Sequence, residues 1–188
     1  MPQPKGSEPE QIALARQGDP AAWEALMRAH QEAVFRMAYL LLGDPDDAQD
    51  AAQEAFVRAY TSLRRFDPQR PLRPWLLRIV SNLARNRQRS FGRYFSALTR
   101  YARADPEALV QRGPEQPTDL GELWHAVRRL PPDSRQAVYL RYFLEMSESE
   151  IAATLQVAPG TVKSRLHRAL IRLRAIIQRD FPGLKEVL

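Results

Sequence analysis

The stretch Ser147–Ile177, SESEIAATLQVAPGTVKSRLHRALIRLRAII, decides how the rest of the chain is read. Ser147 followed three residues later by Glu150 is a capping box, a signature of a helix start. Ile151, Ala152 and Leu155 give that short helix its apolar side. Gln156-Val157-Ala158 interrupts the pattern as a turn. Pro159 opens a longer helix with Val162, Leu166, Ala169, Leu173 and Ile176 as its inward stripe. A short helix, a tight turn and a basic second helix form a helix-turn-helix. Its second helix lies in the DNA major groove, with its N-terminal residues at base edges.

The outward positions suit that task. Lys163 and His167 stack in one column of the helix, Ser164 and Arg168 in the next. Arginine bonds a guanine edge in bidentate fashion, and lysine reaches the same acceptors. Thr161 and the first-turn amides suit a phosphate at the helix N-terminus. Arg165 and Arg172 suit backbone phosphates, which fix position without reading sequence. The turn itself is not ideal. Gln156 stands where such turns usually have glycine, at a position expected to need positive φ, a cost of about 1 kcal/mol. Ala158 has no side chain to cap the second helix, and Pro159 compensates in part.

Working outward, charge is distributed in blocks. The 188 residues carry 28 Lys and Arg against 22 Asp and Glu, a net charge of +6. Ile151 to Arg179 contains no acid. Neither does Pro68 to Ala104, which holds nine arginines among Trp75, Phe91, Tyr94, Phe95 and Tyr101. Two basic stretches so far apart point to two contacts with a polyanion. Met37 to Val57 is the reverse: no Lys or Arg, but Asp44, Asp46, Asp47, Asp50 and Glu54, a surface for a positively charged partner. Cysteine is absent, which excludes a disulfide scaffold, a Cys-ligated zinc finger and a thiol nucleophile. The longest apolar run, Met37–Leu42, is far too short to span a membrane. The opening MPQPKGSEPE has no apolar signal region, so a cytoplasmic protein is expected.

Periodicity divides the chain. Residues 1–9 are expected as a disordered tail. Asp19-Pro20 starts a helix whose stripe is Trp23, Met27, His30, Val34, Met37 and Leu41, ended by Gly43. Asp44-Pro45 starts the next, rich in alanine from Ala48 to Ala59. Prolines make Phe66–Pro71 a loop, and a third helix follows Pro74. A first helical domain over 10–92 is expected, then a flexible linker over 93–118. A second domain follows over 119–181, with helices at Leu120–Leu130 and Asp133–Tyr142 before the helix-turn-helix, then a tail over 182–188. The predicted fold class is all-α. Trp23, Trp124 and the methionines are read as core, and His30 as a satisfied core histidine.

In order and spacing these pieces resemble the extracytoplasmic-function (ECF) group of sigma-70 RNA polymerase factors over roughly residues 10–180. The resemblance rests on Gly43–Asp50, Gln53–Tyr60 and Trp75–Asn82, then Leu130-Pro131-Pro132, Arg141-Tyr142 and Gly160–Leu166. It implies a sigma region 2 domain and a sigma region 4 domain with no region 3 between them. Region 2 of such factors binds the β′ clamp helices of core RNA polymerase and melts the −10 promoter element. Region 4 binds the β flap and reads the −35 element. By the resemblance, Asp46, Asp47, Asp50, Gln53, Glu54 and Phe56 are polymerase-binding. Phe66, Asp67, Arg70, Trp75, Arg78, Asn82, Arg85 and Asn86 hold the melted −10 non-template strand. Thr161, Lys163, Ser164, Arg165, His167, Arg168 and Arg172 contact the double-stranded −35 element. The basic linker with Tyr94, Phe95 and Tyr101 threads toward the polymerase active-site and RNA-exit channels. An anti-sigma factor is the expected regulatory partner, with no membrane insertion, no cofactor and no catalytic or metal-binding residue.

Two other classes stay open on the residues alone. A stand-alone helix-turn-helix regulator would bind a palindromic site as a symmetric dimer. It leaves the acidic helix and the second basic stretch without a task. An all-helical Mg²⁺ enzyme could use Asp46, Asp47, Asp50 and Glu54, spaced three and four apart. No second ligand cluster accompanies them, and His30, His125 and His167 are isolated in sequence.

Overall fold

The computed structural model describes residues 6–101 and 119–181, with backbone alone over 91–101 and 119–120. All regular structure among them is helical, as the sequence predicts. Two compact units are separated near residue 102.

In the first unit, α1 (Glu8–Arg16), α2 (Pro20–Leu42), α3 (Pro45–Ser62) and α4 (Leu72–Tyr101) pack around one core. The caps fall where the sequence places them. Asp19 accepts from the amides of Ala21 and Ala22 at 2.8 and 3.1 Å. Asp44 accepts from those of Asp46 and Asp47, both at 2.9 Å. Gly43 closes α2 in the left-handed conformation at φ 82°, which a residue without Cβ adopts without strain. The alanines of α3 explain the tight core. Ala48, Ala51, Ala52, Ala55 and Ala59 are all buried, so α3 can lie close to α2 and α4. Leu26, Val34, Met37 and Ala38 of α2 and Leu76, Leu77, Val80 and Ala84 of α4 complete the core.

Three boundaries differ from the sequence expectation, the smallest being the start of α4 at Leu72, two residues ahead of Pro74. Helix α1 begins inside the expected tail. The Ser7 amide donates to the Glu10 carboxylate at 2.8 Å, and Ile12 and Ala15 are buried. Residues 1–5 lie outside the described part. Helix α4 does not stop near 92 but runs on to Tyr101, into the expected linker. The segment holds helix formers and no proline before Pro106, so backbone propensity lets the helix continue. Residues 102–118 and 182–188, the remaining linker and the expected C-terminal tail, lie outside the described residues. His30 is a satisfied core histidine, buried with its Nε2 2.9 Å from the Glu8 carboxylate. That hydrogen bond, helped by one from the Leu72 amide, holds the Glu8 carboxyl below its ordinary range against the opposing effect of burial.

The second unit contains α5 (Asp119–Arg128), α6 (Pro132–Val138), α7 (Glu148–Leu155) and α8 (Pro159–Asp180). The helix expected over Asp133–Tyr142 forms and runs unbroken from Pro132 to Phe143, but its last turn is not α. From Tyr139 to Phe143 the chain widens into a π turn, and the Leu144 amide donates to the Tyr139 carbonyl at 3.1 Å. Trp124 stacks on Tyr139 at 5.5 Å between centroids, and Phe143 meets both rings edge-on. Burial of Tyr139 pushes its hydroxyl up to about 12. Trp124 is thus core, as the sequence reading has it.

Gln156 caps α7 at φ 55° and ψ 46°, the left-handed conformation anticipated from its place in the turn. Its Cβ crowds the backbone there, and glycine would not. Replacing Gln156 with glycine is therefore expected to stabilise this unit by about 1 kcal/mol, net of glycine's greater freedom in the unfolded chain. Amide exchange in α7 and α8 under rising urea measures this. An unchanged or lowered midpoint would contradict it.

Candidate nucleic-acid interface

The capping box that opens the helix-turn-helix is formed. The Ser147 amide donates to the Glu150 carboxylate at 2.9 Å, and the Glu150 amide to the Ser147 hydroxyl at 3.3 Å. Val162, Leu166 and Ala169 are buried as expected, with Ile177. Leu173 and Ile176 are half-buried against Ala126 and Ile177. Burying that stripe turns Lys163, Ser164, His167, Arg168 and Arg172 to the surface, where all five are exposed. Space around Gly160 is open: a Cβ built there meets nothing within 4 Å. The first turn of α8 can therefore approach another backbone closely. Thr161 is half-buried, and its carbonyl accepts from the Ser164 hydroxyl at 3.1 Å. Arg165 is half-buried too. Its guanidinium lies 3.9 Å from the Asp133 carboxylate of α6, so it braces the motif as well as offering charge.

A second basic face lies in the first unit, on α4 and the loop before it. Asp67 organises that loop. Its side chain accepts from the Gln69 amide at 3.0 Å, its carbonyl from the Arg70 amide at 3.0 Å, and its carboxylate pairs with Arg70 at 3.3 Å. Trp75, Arg78, Asn82, Arg85 and Asn86 follow at helical spacing on one face of α4. Asn82 and Asn86 are exposed; Trp75, Arg78 and Arg85 are half-buried. Phe66 differs from its sequence assignment. It is 6% exposed and packs on Trp75 at 4.6 Å, so it supports the loop from beneath and offers no free ring to a base.

The acidic helix α3 presents the third surface. Asp46, Asp50 and Gln53 are exposed. Asp47 and Glu54 are half-buried and turned toward Arg87 of α4, at 3.9 and 3.6 Å. Glu54 also pairs with Arg58 at 2.6 Å. Among the described residues no three of His, Asp or Glu converge as metal ligands. Phe56 is half-buried, with its ring edge-on to Trp23 at 6.3 Å. Trp23 itself is only half-buried, which corrects its assignment as simple core. It leans on Tyr60 at 5.2 Å. Val57 and Tyr60 are 63% and 47% exposed, so an apolar patch adjoins the acids. Sequence reasoning gives these two no role. Their signal is a break in pattern, large apolar residues on the outward side of an alanine-faced helix. No helix among the described residues is long and apolar enough to cross a membrane.

The family model for sigma-70 region 2 matches residues 26–94, and that for sigma-70 region 4 matches residues 120–173. The chain is 40% identical over 173 residues to the ECF RNA polymerase sigma factor SigE of Mycolicibacterium smegmatis. That match takes in 84% of this chain and 63% of SigE, so the chain spans less than two thirds of that relative. It is 30% identical over 175 residues to the ECF RNA polymerase sigma factor SigW of Bacillus subtilis, covering 88% of this chain and 94% of SigW. Among solved structures, CnrH in complex with the cytosolic domain of CnrY superposes with a TM-score of 0.70 at 28% identity, covering 92% of this chain and 98% of CnrH. The sigma factor RpoE of Bartonella quintana, in complex with the anti-sigma factor NepR, shares the fold. Its TM-score is 0.64 at 24% identity, over 84% of this chain and 97% of RpoE.

Proposed function

We propose, for a chain that belongs to the sigma-70 family in its ECF group, that it is a transcription initiation factor directing core RNA polymerase to promoters and that its surfaces divide the work. The first unit serves as region 2, the second as region 4. Lys163, Ser164, His167 and Arg168 read the −35 element in the major groove. Thr161, Arg165 and Arg172 hold the flanking phosphates. Arg70, Trp75, Arg78, Asn82, Arg85 and Asn86 receive the melted −10 strand above Phe66, with Asp67 shaping the loop. Asp46, Asp50, Gln53 and Phe56, with Asp47 and Glu54 behind them, meet the β′ clamp helices, and region 4 meets the β flap.

The observation that carries this reading is the occurrence of a basic, acid-poor face in each of two separate units. Duplex recognition and strand capture need different chemistry. Groove reading uses hydrogen bonds to base edges on a rigid helix. Strand capture spends a few kcal/mol on unstacking a base, which stacking and a positive groove offset. Face α8 supplies the first, and the Trp75 face the second. A stand-alone regulator would use only α8 and leave the acidic helix idle. No reaction of its own belongs to this reading. The chain works in the cytoplasm and is restrained by an anti-sigma factor, as the RpoE neighbour is bound by one. The test is run-off transcription with core bacterial polymerase on fragmented genomic DNA. Discrete new transcripts are expected only when the chain is added; their absence despite intact core binding and a compatible polymerase would contradict the reading.

A further inference from the structure

Helix α1 precedes the region 2 match at 26–94, and no site residue is assigned to it. Its two end regions nevertheless grip opposite ends of one loop. At the C-terminal end, Arg16 Nη2 donates to the Arg64 carbonyl at 2.9 Å, in the 3₁₀ turn Leu63–Arg65 just before residues 66–71. At the N-terminal end, Glu8 Oε1 accepts from the Leu72 amide at 3.2 Å, the first residue of α4 and the first beyond the loop. The other Glu8 oxygen meets His30 of α2 at 2.9 Å. Between the grips, Gln11, Ile12 and Ala15 bury the inner side of α1.

We propose that α1 is a strut that fixes both ends of the 66–71 loop, which makes Glu8 and Arg16 positioning residues for −10 recognition. This rests on the reading of that loop and the α4 face as the −10 receiver. A single rigid helix sets the distance between the grips, about 12 Å for eight residues at helical rise. Asp67 fixes the inside of the loop through the Gln69 and Arg70 amides; α1 fixes its ends. A receiver ordered beforehand loses less freedom when it captures a strand, so more of each contact remains to discriminate bases.

The experiment uses holoenzyme assembled from full-length protein and purified core polymerase on promoters randomised at −10. The variants are Glu8→Ala, Arg16→Met and the pair together. Arg16→Met keeps the aliphatic length and loses the donor. The double variant is expected to lose about tenfold in −10 discrimination, the scale of two such hydrogen bonds. Preference at −35 and affinity for core polymerase should stay unchanged. Wild-type −10 discrimination in the double variant would overturn the strut. So would an equal fall in −35 preference and core binding, which would make α1 a general stability element. If the double variant fails to fold, Arg16→Met alone is read, with about threefold loss expected and no loss contradicting the proposal. Asp67→Ala separates the two levels. If it flattens −10 preference while the α1 variants do not, the strut alone fails. If it leaves −10 preference untouched, the reading of the loop fails and the strut with it.

Discussion

Arg168→Ala is expected to flatten the preference at one position of the −35 element by about 1–3 kcal/mol, roughly 5- to 150-fold. Arg168 is exposed on α8, one turn beyond Ser164 and beside the column of Lys163 and His167. A bidentate guanidinium–guanine pair would be removed, and alanine offers nothing to replace it. The fold should not suffer, since alanine favours helix and the buried stripe of Val162, Leu166 and Ala169 is untouched. The −10 preference and core affinity should stay as in the wild type. Arg172→Ala is the control: without its charge on a backbone phosphate, binding weakens at all promoters alike and the salt slope falls by about one. The measurement is transcription from a promoter library randomised at −35. An unchanged preference in Arg168→Ala would remove that residue from the reading set.

Asp50→Ala is expected to weaken core polymerase binding by about 2 kcal/mol, roughly thirtyfold in Kd. Asp50 is the cleanest probe among the acids of α3. Asp47 and Glu54 lean on Arg87, and Glu54 also on Arg58, so their removal disturbs the packing of α3 on α4. Asp50 is exposed, on the outer side of a helix whose inner side is alanine. Its removal takes away a charge aimed outward and leaves the core as it was. Promoter preference in the residual holoenzyme should be unchanged, because recognition is proposed for other surfaces. Titration of labelled core polymerase reads the affinity directly. Wild-type affinity in Asp50→Ala would show that the acidic helix is not the docking surface.

Much of this fold is legible in sequence because local chemistry and global architecture agree. Asp19-Pro20, Asp44-Pro45, Gly43 and the Ser147–Glu150 box each name a helix end by a mechanism that needs no tertiary partner. Even the flaw at Gln156 is visible, since a missing glycine is a local fact. What stays hidden depends on interactions between distant segments. The grip of Arg87 on Asp47 and Glu54 joins residues 40 and 33 apart in sequence, and the grip of Glu8 on Leu72 spans 64. Nothing in the spacing of either pair announces it. Phe66 is placed among the −10 residues by resemblance alone, and its packing on Trp75, one turn into α4, is invisible to sequence spacing. The reach of α4 to Tyr101 escapes a periodicity argument because periodicity marks only an amphipathic stripe, and backbone propensity can carry a helix past the end of that stripe.

The proposed division of promoter reading between two separate surfaces of one chain is tested most directly by mapping the start sites of run-off transcripts made by the reconstituted holoenzyme. Two short sequence blocks are expected upstream of the starts, near −35 and −10 and at fixed spacing, with Arg168→Ala altering only the first and Asn82→Ala only the second. A single palindromic block bound without polymerase, or transcripts whose starts share neither block, would contradict it.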